Sequence, residues 1–162
     1  MPSRLGFLLF AFAALLGFYM VRDHGFHQPA PAFSLPETYG GRVDLSSYSG
    51  RPVLLVFWTT SCPICQHELP LLNQLAWEFR SKGITVLTIH LGGEAEASDY
   101  MSAHSLSLTS LYDADGAVAQ AYHVGGVPKL VLIGSNGKVL RSTSGWTSER
   151  VLREWMELAR NS

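Results

Sequence analysis

The order of three short segments limits the fold of this chain more than anything else in it. An unbroken apolar run, Val53-Leu54-Leu55-Val56-Phe57-Trp58, leads into Cys62-Pro63-Ile64-Cys65 and then into a stripe of Leu69, Leu72, Leu75, Ala76 and Phe79. An apolar run without alternation is the pattern of a central strand covered on both faces. Apolar residues at spacings of three and four make one face of a helix. A strand therefore delivers two cysteines to the start of a helix that runs from about Cys62 to Lys82, with Gly83 as its terminator and Pro70 as a kink inside it. Ile84 to His90 reads as the next strand, and strand-helix-strand makes a parallel βαβ unit.

The remaining segments fit around that unit. Phe33-Ser34-Leu35 and Val43-Asp44-Leu45 flank Gly40-Gly41 as a small hairpin. Ala95 to Ala103 reads as a short helix, Leu106 to Leu111 as a short strand, and Ala117 to Tyr122 as another helix. Lys129 to Ile133 and Lys138 to Arg141 form a hairpin around Asn136-Gly137, a strong turn signal. A last helix over about Ser148 to Arg160 carries Val151, Leu152, Trp155, Met156 and Ala159 on one face. The order predicts an α/β fold, a central mixed sheet flanked by helices with an N-terminal hairpin.

Cys62 and Cys65 are the only two cysteines. Structural zinc needs four Cys or His ligands, commonly two separated pairs. Covalent haem attachment needs histidine directly after the second cysteine, where Gln66 stands. A disulfide across a two-residue gap removes little chain entropy. Redox chemistry fits best. Free N–H groups and aligned peptide dipoles at a helix N-terminus stabilise an anion, so Cys62 is the expected thiolate. Pro63 suits the first helical position, where its missing N–H has no partner to lose. Asp113 and Asp115 are no calcium loop, because Val124 stands where the loop's glutamate belongs.

The N-terminal region has its own signature. From Leu5 to Val21 no charge interrupts the chain, with Arg4 before the run and Arg22-Asp23 after it. At ~1.5 Å per residue the run reaches about 25 Å, the short end of what spans a bilayer. Small residues in a cleavage pattern do not follow it, so residues 1–22 are expected to be an uncleaved signal anchor rather than a removed signal peptide. Arg4 places the N-terminus in the cytoplasm and everything after the anchor outside. Residues 23–31, with Gln28-Pro29-Ala30-Pro31, read as an extended linker, and 32–162 as one domain. His24 and His27 belong to the linker. The formal net charge of -1 offers no basic excess for nucleic acid.

The strand, Phe57-Trp58, the CxxC, Pro70 and Gly126-Val127-Pro128 together resemble the thioredoxin superfamily. The likeness is closer to its membrane-anchored TlpA/ResA-like (ScsD-like) group, which includes cytochrome c maturation thioredoxins. Ala32-Phe33-Ser34-Leu35-Pro36 resembles the opening segment of that group, and Cys65-Gln66-His67-Glu68-Leu69-Pro70 its C-x-x-E-x-P continuation. The resemblance implies a periplasmic, single-pass inner-membrane thiol-disulfide oxidoreductase, with Cys62 attacking and Cys65 resolving. Its partners would be substrate proteins with disulfides and a membrane thiol electron donor. No cofactor beyond the Cys62–Cys65 pair is implied.

Other roles follow from the same resemblance. Trp58 corresponds to the aromatic residue beside the dithiol, Pro128 to a cis-proline facing it, and Val127 to the backbone that pairs with a substrate strand. Glu68, one helical turn from Cys65, resembles a buried acid able to take the Cys65 proton. Departures from thioredoxin itself are Val56 in place of a buried aspartate, Ser61 in place of tryptophan, and Lys129 where threonine is common. Members of the tethered group mostly act as reductants, so the resemblance implies a reductant of substrate disulfides, with oxidase or isomerase the alternative that Pro63-Ile64 between the cysteines leaves open. A rival reading is a Cu(I) chaperone using both thiolates and His67. His90 reads as a strand residue, and His104 and His123 as surface or packing residues.

Overall fold

A computed structural model describes residues 28–162. The expected anchor, most of the linker, His24 and His27 lie outside the described residues. Among the described residues, no helix is long and apolar enough to cross a membrane.

Five strands form the central sheet: β3 (Val53–Trp58), β4 (Thr85–His90), β5 (Thr109–Tyr112), β6 (Lys129–Ile133) and β7 (Val139–Ser144). Their spatial order is β5-β4-β3-β6-β7. β3 runs parallel to β4 and antiparallel to β6, β5 is parallel to β4, and β7 is antiparallel to β6. The sheet is mixed, with β3 at its centre. Leu54, Val56 and Trp58 pack into one core, and Val53, Leu55 and Phe57 into a second on the opposite face. That is why β3 shows no polar alternation.

The first core is closed by α1 (Pro63–Ser81), α2 (Glu94–Ala103) and α4 (Glu149–Arg160). They contribute Leu69, Leu72 and Phe79, then Ala97 and Met101, then Leu152 and Met156. The second core is covered by Phe33, Leu35 and Tyr122, the last directly after α3 (Ala117–Ala121). Helix α1 passes through Pro70, and Gly83, at φ +76°, takes the left-handed conformation that ends it.

Both edges of the sheet are covered by the N-terminal part of the chain. β1 (Ser34–Pro36) pairs antiparallel with β2 (Arg42–Asp44). Thr38, just after β1, ties this pair to the β5 edge: its N–H and its hydroxyl both donate to the Ser110 carbonyl, at 2.9 and 2.8 Å. On the other edge, residues 28–31, the described end of the expected linker, run along the sheet, with Pro29 in an antiparallel bridge to Lys138. Val139 N–H donates to the Gln28 carbonyl at 2.9 Å, Ala30 N–H to that of Gly137 at 2.9 Å, and the Tyr122 hydroxyl to that of Pro31 at 2.7 Å. An edge strand offers unpaired backbone groups, and a Pro-rich segment can still use its carbonyls as acceptors there.

Two further expectations shift. The strand read over Leu106 to Leu111 forms over Thr109–Tyr112, because Leu106 and Leu108 turn into the core before pairing with β4 begins. β7 continues to Ser144, past Arg141, since β6 remains beside it as far as Lys129. Asp113 and Asp115 cap α3: Asp113 Oδ2 accepts from Ala119 N–H at 2.7 Å, and Asp115 Oδ1 from Ala117 N–H at 3.0 Å.

Candidate active site

The C-terminal end of β3 opens into residues 59–62, and Cys62 becomes the N-cap of α1. Gln66 holds this turn by donating its side-chain amide to the Thr60 carbonyl at 2.9 Å. Pro63 occupies the first position of the helix, as the missing N–H requires. Cys62 and Cys65 are joined as a disulfide, with Cα atoms 5.2 Å apart. The sulfurs are unequal. Cys62 is half-buried, whereas Cys65 is 1% exposed. Cys65 N–H donates to Cys62 Sγ at 3.1 Å, which places the outer sulfur on the positive end of the helix. On reduction this arrangement favours a thiolate at Cys62 and leaves Cys65 sheltered behind it.

Opposite the pair stands the loop before β6. The Val127–Pro128 peptide bond is cis, and Cys62 Sγ lies 3.5 Å from the Val127 carbonyl oxygen. Val127 is half-buried and Pro128 buried, so the backbone of Val127 lines the approach to the outer sulfur.

Glu68 lies one turn beyond Cys65 and is fully buried. Its Oε1 accepts from Thr147 N–H at 2.8 Å, and its Oε2 is buried without a partner. Burial pushes the carboxyl up to about 7, against the opposing pull of the Thr147 hydrogen bonds. A carboxyl in that range can both accept and return a proton near neutrality.

Trp58 does not sit where a substrate can touch it. It is fully buried, its ring centroid 4.8 Å from that of His90 and 5.1 Å from that of Tyr100. It supports the dithiol helix from inside the core rather than contacting an incoming chain. His90 pairs with Trp58 across β3 and β4 and is itself 1% exposed, with neither ring nitrogen hydrogen-bonded. Burial lowers its pKa, and Glu96, 3.8 Å away, pulls the other way. His104 stacks on Tyr100 at the surface, and exposed His123 accepts from Lys129 Nζ through its carbonyl at 3.4 Å. His67, the third ligand of the copper reading, is exposed on α1. Among the described residues, no three His, Cys, Asp or Glu side chains are grouped to hold a metal.

Thr147 and Trp146, on the turn between β7 and α4, were not among the residues singled out by sequence. Nothing local marks them, since Thr147 meets Glu68 across 79 positions of chain.

Comparison with known proteins agrees with this geometry. The sequence pattern described as the AhpC/TSA family matches residues 26–142. The thiol-disulfide oxidoreductase ResA of Bacillus subtilis is 31% identical over 130 residues, 80% of this chain and 73% of that protein. A solved structure of a thiol:disulfide interchange protein DsbE from Chlorobium tepidum superposes with a TM-score of 0.77 at 30% identity, covering 83% of this chain and 97% of that one. A thioredoxin from Neisseria meningitidis superposes with a TM-score of 0.75 at 32% identity, covering 82% and 90%.

Proposed function

The chain belongs to the AhpC/TSA family of thioredoxin-fold proteins, and from that premise we propose that it is a membrane-tethered thiol-disulfide oxidoreductase that reduces disulfides of client proteins in the bacterial periplasm. The observation that carries the chemistry is the inequality of the two sulfurs: Cys62 caps the helix and meets solvent, while Cys65 is buried one turn behind.

In the forward reaction the Cys62 thiolate attacks one sulfur of the client disulfide, and the other client sulfur leaves as a thiolate. Cys65 then loses its proton to Glu68 and attacks Cys62 Sγ. The client leaves with two thiols, and the enzyme keeps the Cys62–Cys65 disulfide. Two electrons have moved from enzyme to client, and a thiol donor in the membrane restores them. The Val127 backbone receives the client as an extended segment, a mode tolerant of side-chain sequence. The redox centre is the cysteine pair alone, without an added cofactor.

Residues 1–22 serve as the anchor, and 32–162 as the catalytic domain. The apolar run flanked by Arg4 and Arg22 supports this reading. A full-length protein that stays with membranes after a carbonate wash, its domain open to protease from the periplasmic side, is the expected result.

The direction of electron flow is tested by the midpoint potential of residues 28–162. A reductant lies at or below roughly −250 mV, and a value near the oxidising end, about −120 mV, would reassign the enzyme as an oxidase. Cys62→Ser abolishes turnover, and Cys65→Ser accumulates a mixed disulfide with the client. Turnover by Cys62→Ser would remove the mechanism.

A further inference from the structure

Among the described residues, four large apolar side chains are well exposed: Tyr39, Ile64, Trp77 and Trp146. Two of them lie on segments joined to the elements that hold the dithiol. Ile64 lies between the two cysteines in the first turn of α1 and is 43% exposed. Trp146, 53% exposed, is held in place by its two neighbours. Gly145 N–H donates to the carbonyl of the cis-proline Pro128 at 2.8 Å, and Thr147 N–H donates to Glu68 at 2.8 Å. Thr147 is 3% exposed. The turn is thus fastened to both elements that frame the cysteines, and its middle residue faces solvent.

From this mounting we infer that Trp146 is a specificity-determining residue, receiving a bulky apolar side chain that lies beside the reacting cysteine of an extended client polypeptide. The inference rests on the exchange reaction above and extends it to the substrate class. An indole in water on a fixed backbone offers large contact area with little conformational freedom to lose, which is why tryptophan is enriched at the centres of interfaces. Through its hydrogen bond to Pro128, the turn adjoins the Val127–Pro128 segment that receives the client. A client strand seated there brings the residues next to its cysteine against the 145–147 turn on one side and Ile64 on the other. A second copy of the chain is a poorer occupant. Two side chains separated by the dithiol fall far short of the roughly 1,600 Å² that a stable protein interface buries.

The test uses two disulfide-linked peptides that differ only beside the cysteine, leucine in one and serine in the other, with rate constants for their reduction by the reduced protein. Wild type is expected to prefer the leucine peptide by about tenfold, the size of one well-packed aromatic contact. Trp146→Ala brings the ratio close to one, Trp146→Phe restores most of it, and Trp77→Ala leaves it as in wild type. Equal rates for the two peptides with wild type would overturn the inference while leaving the reductase reading intact. Reduction of neither peptide would remove both. A wild-type dimer that Trp146→Ala converts to monomer would assign the surface to self-association and overturn the inference.

Discussion

The backbone N–H of Thr147 donates to Glu68 Oε1 at 2.8 Å, joining the turn before the last helix to the buried acid beside the dithiol. One carboxylate oxygen is thereby fixed, and the other is left buried and unpartnered. Such a carboxyl holds its proton to higher pH than a solvated one, because ionisation in a dry site is costly.

Resolution of the mixed disulfide should therefore depend on Glu68. In Glu68→Gln the rate at which Cys65 releases the client falls by about a hundredfold, within the usual range for a lost proton acceptor. Attack by Cys62 changes little. Wild type shows an inflection near pH 7 in the release rate, matching a carboxyl raised to about 7, and the variant lacks it. Stopped-flow measurement of the two steps checks this.

The same group links folding to pH. The folded chain keeps the Glu68 proton from pH 4.5, its ordinary value, up to about 7, whereas the unfolded chain has lost it. The Glu68 contribution is therefore full at the acid end of that window and is lost as pH rises to about 7, at a cost of about 3 kcal/mol. Glu68→Gln removes the decline. Urea unfolding of wild type and variant at pH 5 and pH 8 is the measurement.

His90 acts with the opposite sign. Burial lowers its pKa below 6.5, so the unfolded chain binds the proton first as pH falls. Its contribution to stability is complete above 6.5 and is lost on acidification from there. Below pH 6.5 the two contributions oppose each other: His90→Gln removes the loss of stability on acidification, while Glu68→Gln removes the decline with rising pH. Profiles of the two variants separate the effects.

Alkylation should distinguish the cysteines. In the reduced protein at neutral pH, Cys62 reacts with iodoacetamide at least about tenfold faster than Cys65, because it is the exposed sulfur at the helix N-terminus. Peptide mapping by mass spectrometry reads the order. Faster labelling of Cys65 would exchange their roles.

One hydroxyl, that of Tyr122, joins two backbone hydrogen bonds in holding residues 28–31 on the sheet. Tyr122→Phe removes the 2.7 Å hydrogen bond to the Pro31 carbonyl and lowers stability by about 1 kcal/mol. Hydrogen exchange at Ala30, whose N–H is bonded to Gly137, becomes faster in the same variant.

Local patterns carried much of this protein. The unbroken apolar run of Val53 to Trp58 and the three-and-four spacing after the cysteines define β3 and α1, since each pattern matches a single backbone period. The N-terminal position of Cys62 and the initiating role of Pro63 follow from helix ends alone. The resemblance to thioredoxins marked Val127 and Pro128; the peptide bond between them is cis, and the Val127 carbonyl lies 3.5 Å from Cys62 Sγ. Tertiary structure decided what depends on the other layer of the sheet. It buried Trp58 between His90 and Tyr100, docked residues 28–31 on β7, and brought Thr147 to Glu68 and Gly145 to the cis-proline Pro128. A helix or strand is written in the period of its own residues. A hydrogen bond across 79 positions exists only once the sheet has set both partners at one end of the fold.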